Sequence, residues 1–406
     1  MAVKAPSPAT PRVGHMTTPA PNTPRWTPLA LGFRPFFLLA GLAAVALVGS
    51  WLALAVGRLP PPTHYGLVDW HSHEMLFGYT AAVIAGFLLT AVRNWSGVDT
   101  LTGRSLGALA GVWLAGRLMP WTGAPGPVIA LVDVAFLPLL ALALLGPLRA
   151  GRNRMNLVLP PLLFCMALAN VLVHARALGW SDLAATSGIR LMLDLVLALV
   201  LLVGGRVMPF FTEMAIDGAR PRVRRPVELA GAALIALLAV LHLAGISGGP
   251  VALIAGALAL VQAVRVAGWY QSGVFAVPIL AVLYSGFGWL VAGFGLHALA
   301  ALGLFAPSAA THAFTVGAIG VLTLGMMARV ALGHTGRPMR SSLAVDVAFV
   351  LLNLAALVRV VLSGLWPAGH GTWLNLSGLL WVAAFVLFIV VYAPILTRSR
   401  ADGKPG

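Results

Sequence analysis

Charge is what this chain has least of. Asp, Glu, Lys and Arg together make 9% of its 406 residues, against roughly a quarter in a soluble domain. Acids are scarcer still, 11 Asp and Glu against 26 Lys and Arg. So few polar residues cannot build a water-facing shell around an apolar interior, which excludes an ordinary soluble globular protein. Cysteine occurs once, at Cys165, so neither an intramolecular disulfide nor a thiolate metal cluster can form. Its place in the middle of an apolar run reads as a small core residue. Also missing is any soluble basic domain. The formal net charge of +15 therefore does not describe a nucleic-acid footprint, which needs a contiguous basic face.

What is present is apolar. Hydrophobic residues make 60% of the chain and the mean hydropathy is +0.94. They fall in runs long enough to cross ~30 Å of hydrocarbon as helices. The runs lie near 34–57, 71–92, 105–119, 126–148, 155–177, 188–208, 227–245, 250–267, 275–301, 308–330, 343–363 and 371–396. The fold expected is all-α, a polytopic membrane helical bundle of about 12 transmembrane helices, the third of them short.

Residues 1–28, rich in Pro, Thr and Ala, cannot bury a core and predict a disordered tail. One transmembrane domain is expected over 29–398, with a short C-terminal tail over 399–406. The basic residues set the orientation. Of the 26 Lys and Arg, only Arg58, Arg117, Arg176, Arg190 and Arg359 fall on the side opposite the tails. By the positive-inside rule both termini are cytoplasmic.

Histidine follows the opposite bias. On the same map every one of the 10 histidines except His15 and His334 lies at or near a non-cytoplasmic helix end or outer loop. The densest group is Asp69-Trp70-His71-Ser72-His73-Glu74, at the start of an otherwise apolar helix. Each such polar group costs roughly 2.5–3.5 kcal/mol on insertion scales, so it needs partners and a purpose. Residues two apart on a helix project about 200° apart. His71 and His73 therefore either serve two centres on opposite sides of the helix, or act as one ligand and one contact behind it. Glu74 shares a face with His71 and can accept an imidazole N–H, fixing its tautomer. Against this stands an interfacial helix start capped by Asp69, with Trp70 in the aromatic belt.

His312, in Thr311-His312-Ala313-Phe314-Thr315-Val316-Gly317, enters from the same face, and His174 ends the fifth run there. Imidazoles from separate helices are the usual axial ligands of haem in membrane bundles, and they suit copper as well. A haem would need cations for its propionates, for which Arg117, Arg176, Arg190 and Arg359 are available on that side. Arg190 and Asp194, four apart, can instead pair with each other. Asp133 and Asp194 lie inside spans, where carboxylates mark a proton path, an ion site or a neutralised pair. His242, His297 and His370 each stand alone in the sequence. The small-residue stripe Gly78, Ala82, Ala85 and Gly86 admits close approach, for which helix packing is the commoner cause.

These motifs resemble the NnrS family. The resemblance rests on Leu31-Gly32-Phe33-Arg34-Pro35-Phe36-Phe37, Trp70-His71-Ser72-His73-Glu74-Met75-Leu76-Phe77-Gly78 and Gly205-Arg206-Val207-Met208-Pro209-Phe210-Phe211-Thr212. It continues through His312-Ala313-Phe314-Thr315-Val316-Gly317-Ala318-Ile319-Gly320, Leu332-Gly333-His334-Thr335-Gly336-Arg337 and Tyr392-Ala393-Pro394-Ile395-Leu396. Arg93 departs from the uncharged residue expected there. The resemblance implies a multi-pass protein of the bacterial inner membrane that binds b-type haem and copper and protects against nitric oxide. Its partners would be the lipid bilayer, nitric oxide and an unidentified electron donor, with no nucleic acid. Carried onto this chain, the implied ligands are His71, His73, His174 and His312; by position in the sequence, Glu74, Asp133 and Asp194 are expected behind them and Arg117, Arg176 and Arg190 beside the cofactor. The rival readings are a twelve-helix transporter and a cofactor-binding sensor or accessory without turnover.

Overall fold

A computed structural model describes residues 26–151, 154–181 and 185–404. The expected tail therefore lies outside the described residues up to residue 25, His15 included. Twelve helical rods follow in chain order: α1 (Phe33–Ala55), α2 (Leu67–Ser96), α3 (Gly103–Leu118), α4 (Gly126–Ala150), α5 (Arg154–Ala177) and α6 (Ala185–Ala215). After them come α7 (Arg225–Leu243), α8 (Gly249–Trp269), α9 (Pro278–Ala301), α10 (Pro307–His334), α11 (Leu343–Leu365) and α12 (Pro367–Thr397). Among the described residues 11 helices are long and apolar enough to cross a membrane. The exception is α3, whose 16 residues rise only ~24 Å.

Local sequence explains the boundaries. Proline stands in the first turn of α4, α7, α8, α9 and α10, where its missing N–H costs nothing. Gly97 ends α2 in a left-handed conformation, φ 72°, which a side chain would disfavour. The sixth helix runs past its expected end near 208. Pro209 is absorbed inside it and the rod continues to Ala215.

Neighbours in sequence pack side by side, and α12 closes the ring against α1 and α11. Large apolar side chains such as Leu131, Leu253 and Leu260 face outward, as a lipid-exposed surface requires. Cys165 also faces outward rather than into the core. The most enclosed rods are α2 and α10: 83% and 72% of their apolar windows are buried, against 17% for α7. These two central rods carry His71, His73 and His312, and His174 comes from α5.

Both ends of the described chain meet. Arg34, buried at the start of α1, donates from Nη1 to the carbonyls of Leu396 (3.1 Å) and Arg398 (2.6 Å). The Thr27 amide donates to the Thr397 carbonyl, 2.8 Å, and Trp26 bridges Arg398. Arg34 thus supplies donors to carbonyls that the end of α12 leaves without helical partners. Arg34→Ala should cost about 1–3 kcal/mol, seen as earlier thermal unfolding in detergent, and Arg34→Lys should recover part of it.

Candidate functional site

Three rods leave α geometry at one end of the bundle. The segments Glu74–Thr80 in α2, Ala313–Gly320 in α10 and Val358–Leu362 in α11 are π-helical. Such widened turns are rare and gather at functional sites. The first follows His73 directly, the second follows His312, and the third contains Arg359. In the first, the Phe77 and Gly78 carbonyls accept from Arg117 Nη1 (2.8 Å) and Trp113 Nε1 (3.0 Å) of α3. The α2 π segment is tied to α10, just past its own π segment, by the Tyr79 hydroxyl and Thr323 Oγ1, 2.5 Å apart.

On one side of α2 lies a fully buried polar cluster. Asp133 Oδ2 is 2.9 Å from His73 Nε2, 3.0 Å from His174 Nε2 and 2.9 Å from Asn170 Nδ2, which donates to it. Asp133 Oδ1 is paired with the Arg117 guanidinium. His73 Nδ1 faces Glu74 Oε1 at 3.1 Å. Arg117 Nε lies 2.9 Å from Glu74 Oε2 but is not aligned for a hydrogen bond, which leaves that buried oxygen without a donor. Gly116 makes this possible, since a Cβ there would come within 2.6 Å of Asp133 Oδ1.

A charge count limits what the cluster can be. One guanidinium faces two carboxylates, and an uncompensated charge in this interior is costly. One more positive charge is needed, either a proton or a metal ion. The ligand-type atoms of His73, Asp133 and His174 lie within 4.8 Å of one another, close enough to share one ion. The donor set fits such an ion, because Glu74 Oε1 on the Nδ1 side of His73 forms the carboxylate–histidine arrangement typical of metal ligands.

Two loop residues complete it. The Tyr65 hydroxyl is 3.4 Å from both His73 Nε2 and His174 Nε2. His64 Nε2 lies 2.9 Å from His174 Nδ1. Burial, with His174 and His73 close by, pushes the His64 imidazole down to about 4. Burial and the charges of Asp133 and Glu74 hold the Tyr65 phenol protonated.

On the other side of α2 is a cavity of about 450 Å³, lined by His71, His312, Arg359 and His370 with Trp51 and Trp381. Its size falls within the ~300–1,000 Å³ of ordinary ligand sites. His71 stacks on Trp51 with ring centroids 4.3 Å apart. His312 Nδ1 donates to the Ser308 carbonyl at 2.7 Å, which leaves Nε2 as the bare nitrogen. An imidazole held this way is prepared to ligate. With Arg359 as a cation beside it, the largely apolar cavity fits a flat anionic cofactor held by imidazoles.

The four histidines are thus brought together in pairs, His73 with His174 and His71 with His312, on opposite sides of α2. Glu74, Asp133 and Arg117 join the first pair. Glu74 meets His73 rather than His71, the face expected on α spacing. Arg176 and Arg190 are exposed and line neither group. Asp194 pairs with His242, not with Arg190. Trp70 is buried against Trp121 rather than at an interface, and Gly66, not Asp69, caps the helix. The small residues serve packing: a Cβ on Gly86 would reach Phe37 at 2.8 Å, and one on Gly317 would reach Trp289 at 2.7 Å. Sequence reasoning missed Asn170, although its four-residue spacing from His174 places both on one helix face. Tyr65 and His64 carried no such signal, because a loop brings them in.

Buried imidazole–carboxylate groups at one end of a twelve-rod apolar bundle define a polytopic membrane protein with a metal-competent interior. The chain matches the family described as NnrS protein over residues 27–400 and belongs to that family. No curated protein matches it.

Removing the carboxylate at Asp133 breaks its buried pair with Arg117, which keeps only Glu74, and takes the shared acceptor from His73, His174 and Asn170. Asp133→Ala should cost about 3–5 kcal/mol, measured as thermal unfolding in detergent. Asp133→Asn, which keeps an acceptor, should cost less.

Proposed function

We propose that this protein binds a b-type haem and a copper ion at the non-cytoplasmic end of its bundle in a bacterial inner membrane, and that it protects against nitric oxide there. The single observation that carries the reading is the split of the histidines by α2 into one cavity and one compact cluster. What supports haem is the cavity, with His71 and His312 available as ligands and Arg359 as partner for a propionate. What supports copper is the His73–Asp133–His174 group, since imidazole and carboxylate suit a small cation. When bound, iron and copper supply one-electron redox chemistry and sites for nitric oxide.

The chain's own residues do the rest. Glu74 orients His73, the Ser308 carbonyl orients His312, and Trp51 holds His71 by stacking. The largely apolar lining of the cavity lowers the polarity around these groups, which strengthens electrostatic contacts among them. His64 and Tyr65 lead from the outer loop to His174 and His73, a short path for a proton. The basic residues on the opposite side, with Arg34 joining the chain's two ends there, support cytoplasmic termini. The transporter reading leans on Asp133 and Asp194, and both are engaged by imidazoles rather than strung along a path.

His71→Ala and His312→Ala should abolish or shift the Soret band of the purified protein while sparing its copper. His73→Ala and His174→Ala should lower copper and spare the haem. Full haem content with an unchanged spectrum in both of the first two variants would remove the cavity reading. Anaerobic nitric oxide consumption with a chemical electron donor separates turnover from a sensor or accessory role.

A further inference from the structure

A third polar cluster lies outside both groups. Asp194 of α6, His242 in the last turn of α7 and His297 near the end of α9 come from three separate rods. His242 Nδ1 donates to Asp194 Oδ2 at 2.8 Å. That bond places the bare nitrogen of a neutral imidazole at Nε2. Nε2 points at Nε2 of His297, 3.2 Å away, with the two rings inclined at 79°. Asp194 and the His242 side chain are buried, 4% and 6% exposed.

Two features make this arrangement competent to hold a metal as well as a hydrogen bond between helices. Imidazole nitrogens bound at ~2.0–2.1 Å to one tetrahedral ion stand ~3.3 Å apart, close to the observed separation of 3.2 Å. A carboxylate on the far nitrogen of one imidazole is the usual support behind a metal-bound histidine. Both histidines also sit in terminal turns, so an ion need not cross the bundle to reach them.

We propose that His242 and His297 bind one divalent first-row cation of the zinc or copper(II) class, with Asp194 orienting His242. Binding takes the place of the single proton shared between the two Nε2 atoms, and His297 shifts tautomer, its one proton moving through solvent from Nε2 to Nδ1, so that both imidazoles ligate as neutral groups. Water fills the remaining coordination positions. Arg190, one turn from Asp194 on α6, opposes the cation and limits its affinity. The site is independent of the haem and copper reading, because none of its residues belongs to either of those groups.

The test uses the full chain in detergent, stripped with a chelator and titrated with Zn²⁺ under equilibrium dialysis. His242→Ala and His297→Gln should each lose one zinc equivalent that a His73→Ala/His174→Ala double variant retains. Asp194→Asn should keep the equivalent but bind it about 10–100-fold more weakly, and Arg190→Gln should bind it more tightly. Unchanged stoichiometry in His297→Gln would overturn the site. Should those variants fail to fold, anomalous scattering from zinc-loaded unaltered protein decides: a peak between the two Nε2 atoms supports the site, and its absence refutes it. The double variant and the Soret band report on the other two groups, so the two readings fail separately.

Discussion

Arg117 carries a full charge into a region with almost no water, and Asp133 and Glu74 meet it there. Lipid and packed side chains cannot solvate such a group, so each polar atom must find its partner within the chain. This requirement binds α2, α3, α4 and α5 into one unit, because the guanidinium, the two carboxylates, His73, Asn170 and His174 come from those four rods. It also decides the chemistry on offer. Two carboxylates against one guanidinium leave room for one more positive charge between His73 and His174.

The π-helical segments are the second constraint. In the widened turn of α2 the Phe77 and Gly78 carbonyls accept from Arg117 and Trp113 of α3. The buried cation thus has a backbone acceptor beside its two carboxylates. The same irregularity recurs beside His312 and at Arg359, so the cavity on the far side of α2 is framed by backbone that has left regular geometry. Regular helices alone would have packed this end of the bundle more closely.

Much of this was legible in the chain. Runs of apolar residues had only one way to satisfy their backbone in lipid, and the rods begin and end within a few residues of where hydropathy placed them. The exception has a physical cause: α6 absorbs Pro209 and runs on to Ala215, while α3 is short, as expected. The polar residues were harder. Asp133 and His174 stood out as polar groups in apolar runs, but their partners did not. Spacing assigned Glu74 to His71, and the π turn gave it to His73.

By itself the sequence determined the class of fold, the approximate spans and the identity of the polar residues that lipid would force inward, because insertion energies act residue by residue. Only the tertiary structure decided the pairing: His73 with Asp133 and His174, His71 with His312, and Asp194 with His242 and His297. Those contacts join residues from 41 to 241 positions apart on separate rods, and no local periodicity encodes them. They form because each buried imidazole and carboxylate must find a partner across helices, and which partner is near depends on how whole rods pack.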